Sequence, residues 1–430
     1  MMFRWTAVRR LAAIATLATL ATLTACGGGT DRTKAQVRLV NASSGYTSLD
    51  LRVDDQLRQG AVTYGQTASY AEVDPGKTAS TLSRAGAGTA LLSFTPSVSA
   101  KKYYTVLAYG PQGALKQVLL DENSAEPDTN RSLLRFVNAA PDAGTLDIYL
   151  TGANDSLADS VPVQAGVAPD GISGFLTVAS GSYRLRVTAA NNKDDLRLDV
   201  SGLALSSKQV ATLVVSPGVG GVLVKSLLII QQGNIAAQAA TQARLRVAAG
   251  LADAGLVSLQ AGGSALLSNV TVPAVTQYVL VPAGTQALVV TVNGTAQPAS
   301  TQALTAGGDH TLLVYGPAAA PLLTLLTDDN SLPSERTRAR IRLVNGAAGL
   351  AGAASLSIDF TPVANTVAAG QASAYATLAS TSTAQLTVTA AGGAAPLFSA
   401  VDQTFQAAST YTVFLRGGTT APVAIVRRDR

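Results

Sequence analysis

The chain carries one imidazole, His310, so any acid–base or nucleophilic chemistry that needs histidine must run through that side chain. Serines and aspartates are plentiful enough to complete a triad, and a hydrolase using His310 is one reading of the sequence. Cys26 is the sole cysteine, which rules out an internal disulfide and a thiolate metal cluster. Two acidic groupings, Asp121-Glu122 with Asp128 and Asp328-Asp329 with Glu335, have the oxygen ligands that Ca²⁺ prefers. No Asp-x-Asp-x-Asp-Gly loop accompanies them, and Arg131, Arg336 and Arg338 stand close enough in sequence to neutralise the same carboxylates. A long polar segment containing Asn154, Asp155 and Asp170 is either a binding loop or a drifted insertion. No motif calls for a cofactor or a metal.

The elements that position these residues form a repeat. Four segments open alike, at Val37-Arg38-Leu39-Val40-Asn41, Leu134-Arg135-Phe136-Val137-Asn138, Leu245-Arg246-Val247-Ala248-Ala249 and Ile341-Arg342-Leu343-Val344-Asn345. Their arginines are 97, 111 and 96 residues apart. A second alternating stretch follows, centred on Asp50, Asp147, Ser258 and Ser357, at 12, 12, 12 and 15 residues from the arginine. Next comes an aromatic: Tyr70, Phe175, Tyr278 and Tyr375. A last apolar element starts at Tyr104, Ala211, His310 and Tyr411, so His310 occupies a strand position that elsewhere takes tyrosine or alanine. Phe175 follows Asp147 at a spacing of 28 residues where the first and third copies have a spacing of 20, and the excess is the segment with Asn154, Asp155 and Asp170.

Alternating Val, Leu, Thr and Tyr broken by turn residues indicates strands, and each copy is long enough to bury its own core. The expected fold is all-β: four tandem immunoglobulin-like antiparallel β-sandwich domains at 35–128, 129–238, 239–334 and 335–430. Acidic junctions follow copies one and three only, which predicts two tight two-domain modules joined by a looser middle linker. Alternation places Val37 and Leu39 on one face of the first strand and Arg38 and Val40 on the other. If the first two strands pair, Arg38 meets Asp50 and Arg135 meets Asp147 as exposed cross-strand ion pairs on an outer sheet face.

Ahead of the repeats, Arg4, Arg9 and Arg10 precede an apolar run from Leu11 to Leu23, the layout of a secretory signal. Leu23-Thr24-Ala25-Cys26 resembles the lipobox of bacterial lipoproteins, which implies cleavage after residue 25, acylation of Cys26 and a tether over 26–34. Gly27, rather than aspartate, follows the cysteine, so outer-membrane sorting is expected. Removing residues 1–25 takes three arginines and leaves 28 basic against 26 acidic side chains. That balance, with no tryptophan beyond Trp5, does not support a nucleic-acid surface. Apolar residues at 47%, charged residues at 13% and a mean hydropathy of +0.26 describe a chain that folds, with one apolar run too few for a polytopic membrane protein.

Arg135-Phe136-Val137-Asn138-Ala139-Ala140-Pro141-Asp142, followed by Leu146-Asp147-Ile148-Tyr149, the aromatic element and a closing Tyr-Thr-Val strand, resembles the bacterial domain-of-unknown-function family catalogued as number 4397. The resemblance covers nearly all of 35–430; the third copy lacks the Asn and Asp, and the fourth has Ser357 and three extra residues. It implies sandwich modules on secreted or surface-anchored proteins and supplies no catalytic residues. The expected function is a non-enzymatic, lipid-anchored envelope scaffold or adhesion surface, held to the membrane by acyl chains and facing an envelope protein or glycan. The alternatives are a polysaccharide-binding module and the His310 hydrolase.

Overall fold

The computed structural model describes residues 33–430 apart from 239, 348, 351, 392, 394 and 419–421. The signal segment and Cys26 lie outside the described residues. Strands dominate, and a single 3-10 turn, Pro141–Ala143, is the only helical element among the described residues. No helix there is long and apolar enough to cross a membrane.

The first repeat shows the plan. Its strands are β1 (Ala35–Asn41), β2 (Ser48–Val53), β3 (Gln56–Thr63), β4 (Ala71–Val73), β5 (Gly76–Lys77), β6 (Ser80–Arg84), β7 (Ala90–Phe94), β8 (Ser97–Val98), β9 (Tyr103–Tyr109) and β10 (Lys116–Asp121). One sheet has the order β10-β9-β1-β4 and the other β3-β2-β6-β7. Pairing is antiparallel except that β1 runs parallel to β9, Arg38 opposite Thr105. Each later repeat forms two sheets of the same kind, again with one parallel pair. Val37, Leu39, Leu49, Leu51, Leu82 and Val106 fill the core between the sheets, on the faces that alternation assigns inward.

β1 and β2 do not pair. The chain leaves one sheet after Asn41 and enters the other at Ser48, and the buried Asn41 side chain secures the crossing. Its Nδ2 donates to the carbonyls of Tyr46 (3.2 Å) and Val62 (3.1 Å), while its Oδ1 accepts from the Ser43 N–H (3.0 Å). Asn138 and Asn345 repeat the device, which explains the asparagine of the opening motif.

The sheet containing β1 and β9 is buried on both faces, because its outer face meets the neighbouring repeat. Val40, Leu107 and Leu120 pack on Val137, Val214 and Ile229 of the second repeat. Likewise Ala248, Leu313 and Leu326 of the third repeat pack on Val344 and Phe414 of the fourth. The repeats thus associate in two pairs, each through an apolar layer in which a fully buried Val or Leu contributes about 1.5–3 kcal/mol.

The middle junction corrects the expected loose linker. Gly220 donates its N–H to the Gly307 carbonyl (3.0 Å), and Asn330 donates its own to the Gly220 carbonyl (3.1 Å). A Cβ on Gly220 would stand 2.5 Å from the Asp309 nitrogen, so this loop of the second repeat fits the third only as glycine. Arg336 pairs with Asp142, and Arg430 donates to the carbonyls of Gly221 and Asp142. These contacts use backbone groups and charged side chains, whereas the contacts within pairs include an extended apolar layer.

Candidate functional site

One polar constellation recurs in every repeat. The arginine of the first strand donates from Nε to a threonine directly opposite on the parallel partner: Arg38 to Thr105, Arg135 to Thr212 and Arg246 to Thr311 at 2.8 Å, and Arg342 to Thr412 at 3.1 Å. The guanidinium lies over the aromatic of its own repeat, 4.8 Å from the Tyr70 ring, 4.6 Å from Phe175, 4.4 Å from Tyr278 and 4.8 Å from Tyr375. Strand registers place a fourth member at or just past the end of the last long strand: Glu122, Gln231, Asp328 and Asp429.

In the first repeat the arginine keeps its own acid, with Arg38 Nη2 at 2.8 and 3.1 Å from the Glu122 oxygens. It also reaches the second repeat, donating to the carbonyls of Ile230 (3.0 Å) and Gly233. Arg135 has no acid in its own repeat, where Gln231 stands, and donates to the Asp121 carbonyl across the interface at 2.9 Å. Gln231 turns instead to the linker, pairing its amide with the Ser124 N–H (3.0 Å) and carbonyl (2.8 Å). The third and fourth repeats exchange partners: Arg342 bonds Asp328, and Arg246 bonds Asp429.

Asp328 is sealed inside this arrangement and accepts from Thr311 (2.5 Å) and Tyr278 (2.7 Å). Burial pushes its carboxyl up, but the charges of Arg342 and Arg246 and those hydrogen bonds outweigh it and hold the group below the usual carboxylate value. Burial drives the Tyr278 phenol well above its ordinary value, and the Asp328 charge adds to this. A neutral phenol and an ionised carboxylate, both fully engaged, are suited to holding two repeats together.

These positions correct the expected ion pairs. Arg38 and Asp50 lie in different sheets, as do Arg135 and Asp147, because the first two strands cross between sheets and form no hairpin. Asp50 accepts from the N–H groups of Ala61 (2.7 Å) and Gly86 (2.9 Å), and Asp147 from Gly166 (2.8 Å) and Asn191 (2.9 Å). Each caps a β-bulge whose residue has a left-handed φ, +54° at Ala61 and +67° at Gly166. Ser258 does the same for Asn269 (2.8 Å). In the fourth repeat the cap is Ser355, on Thr366 (3.3 Å), so the repeat equivalent is Ser355 in place of Ser357 and the spacing is 13 residues.

His310 is buried, and its Nε2 accepts the Thr305 N–H at 3.0 Å. Tyr104 and Tyr411 accept through their hydroxyls from the N–H five residues earlier, Ser99 at 3.2 Å and Gln406 at 2.9 Å. The imidazole therefore does a tyrosine's work at a strand corner, and the lone pair a general base would use is occupied. Burial lowers its pKa and keeps the ring neutral.

The loop residues of the second repeat are not brought together. Asp155 caps Gly152 (2.7 Å) beyond the Thr151 end of strand Leu146–Thr151, whereas Asp170 lies near the Leu146 end and pairs with Lys116 of the first repeat at 2.6 Å. Asn154 is exposed. Beside Asp155 is an open hollow of about 450 Å³ lined by Thr151, Asp159 and Tyr183. The acidic junctions face arginines: Glu122 meets Arg38, Asp329 meets Arg340 (2.7 Å) and Glu335 meets Arg338 (2.8 Å). Among the described residues no three His, Cys, Asp or Glu side chains are grouped to hold a metal.

The arginine stacks escaped the sequence reading, although a signal was there. Arginine, aromatic and threonine are each kept in register, and the last strands, such as Tyr103–Tyr109, are apolar at successive positions, the mark of a strand buried on both faces.

The family model described as Domain of unknown function (DUF4397) matches residues 35–149 and 243–356, together more than half of the chain. Each span takes in nearly all of one repeat, the first strand of the next and part of its second strand, and so includes both arginines of a pair. The solved structure titled "The Bacillus anthracis TIE protein" aligns over 89% of this chain and 67% of its own, with 10% identity and a TM-score of 0.15. No curated protein matches the chain.

Proposed function

Because the chain belongs to the DUF4397 family of domains of unknown function, for which chemistry must be argued from the molecule itself, we propose that it is a non-enzymatic scaffold of the bacterial cell envelope. Four sandwiches locked as two pairs would project a surface from a membrane to which acylated Cys26 tethers them. The observation that carries this reading is the placement of the repeated polar constellation. Arg38, Arg246 and Arg342 are buried between repeats and bonded to acids, threonines and carbonyls, which leaves no open face for a substrate. The lipobox-like tetrapeptide supports the tether, and the absence of an aspartate after the cysteine, where Gly27 stands, supports outer-membrane sorting.

The test is fractionation with labelled fatty acid. Wild type should carry label and sediment with membranes, and Cys26→Ser should be unlabelled and soluble; label on the variant would contradict the tether. A second reading, a glycan-binding surface, is favoured by the polar hollow beside Asp155 and Asp159. Glycan-array binding lost in Asp155→Ala with Tyr183→Ala, in a protein that still melts normally, would select it.

A further inference from the structure

Two positions of the fourth repeat break the pattern of the interface it shares with the third. Arg427 stands where the other repeats have Leu120, Ile229 and Leu326, and Arg416 where they have Tyr109, Ser216 and Tyr315. Arg416 is 4% exposed, and its Nε and Nη1 have no acceptor. Arg427 donates from Nη2 to the Val275 carbonyl of the third repeat at 3.0 Å, while its Nε has none. Gly250 of the third repeat lies against Arg416, with a Cβ there only 2.5 Å from the arginine Cβ, so the facing strand makes room for the side chain without answering its charge.

No carboxylate forms an ion pair with either arginine among the described residues, and the chain joining their strands, 418–422, contains no acid. Asp253, on the neighbouring loop of the third repeat, is exposed. Burial, and next to it the charge of Arg427, pull the Arg416 pKa down to about 10. A guanidinium enclosed without a counter-charge is strongly unfavourable, and the tyrosine and leucine of the first repeat would fill the same places without that cost.

We propose that Arg416 and Arg427 form an anion site within the interface of the third and fourth repeats, taking a small oxyanion of the phosphate or sulfate type. The orphaned N–H groups supply the charge-assisted hydrogen bonds that such an ion needs, and the bound ion clamps the two repeats together.

The test is calorimetry and thermal melting of the full chain in chloride buffer of constant ionic strength, titrated with inorganic phosphate or sulfate. Saturable binding at one site per chain with a rise in Tm is expected. The double variant Arg416→Tyr with Arg427→Leu, which installs the first repeat's residues, should fold and lose at least tenfold in affinity. Should it fail to fold, Arg416→Gln alone should show the same loss. Equal anion responses in wild type and variant, or no saturable response in wild type, would overturn the site. Binding to phosphatidylglycerol vesicles that free phosphate does not compete away would overturn the assignment to a small free ion.

Discussion

Arg342 of the fourth repeat is bonded to Asp328 of the third, although Asp429 stands at the equivalent place in its own repeat and is taken by Arg246. The exchange makes the charge pairing of each of these two repeats depend on the other.

Asp328→Asn should therefore destabilise both repeats, because it leaves Arg342 buried without its carboxylate. A loss of about 3–5 kcal/mol is expected from urea denaturation. A change under about 1 kcal/mol, the scale of exposed pairs, would show that the pair is solvated.

Acid should release the same lock. Asp328 and Asp329 are held below the ordinary carboxylate value, so their stabilisation is complete above about pH 4 and is lost as pH falls through their lower folded-state values. Tryptophan is absent from the repeats, so circular dichroism is the suitable monitor. Unfolding should steepen below about pH 4 and be less steep in Asp328→Asn.

In the second repeat the phenol and the carboxylate are missing together, as Phe175 and Gln231. Making the first repeat resemble it, with Tyr70→Phe and Glu122→Gln, should give a coupled response. Glu122 accepts from Tyr70, so the double variant should lose less than the sum of the singles, by about 0.5–3 kcal/mol in a double-mutant cycle. Strict additivity would mean that the two residues act independently.

His310→Tyr should be tolerated, since tyrosine fills that corner in two other repeats, whereas His310→Ala strands the Thr305 N–H at a cost of about 1–3 kcal/mol. The depressed imidazole pKa adds a pH signature. Its stabilisation is complete above the unfolded value of about 6.5 and is lost as pH falls toward the lower folded value. A hydrolytic activity that disappears in His310→Tyr would select the hydrolase reading over the scaffold.

The repeat, its strands and their inward faces were legible because alternation and spacing report local geometry: Val37, Leu39, Leu49 and Leu51 all enter the core. Which strand lies beside which is a long-range matter. Arg38 and Asp50 are separated by a sheet crossing that a few turn residues do not disclose, and Ser357 was matched on its flanking Leu and Ile although the bulge it would cap belongs to Ser355. The face carrying Arg38 and Val40 reads as solvent-exposed in one repeat considered alone, and only the neighbouring repeat turns it into an interior. Cys26 is outside the described residues and rests on its motif.

The central claim, that buried arginine stacks hold the repeats as rigid pairs, is tested most directly by electron–electron spin distances in a Cys26→Ser background. Spin labels on exposed sites of the first and second repeats, and of the third and fourth, should give narrow distance distributions that broaden when Glu122 or Asp328 is replaced by alanine. Broad distributions in the unsubstituted pairs would contradict the account.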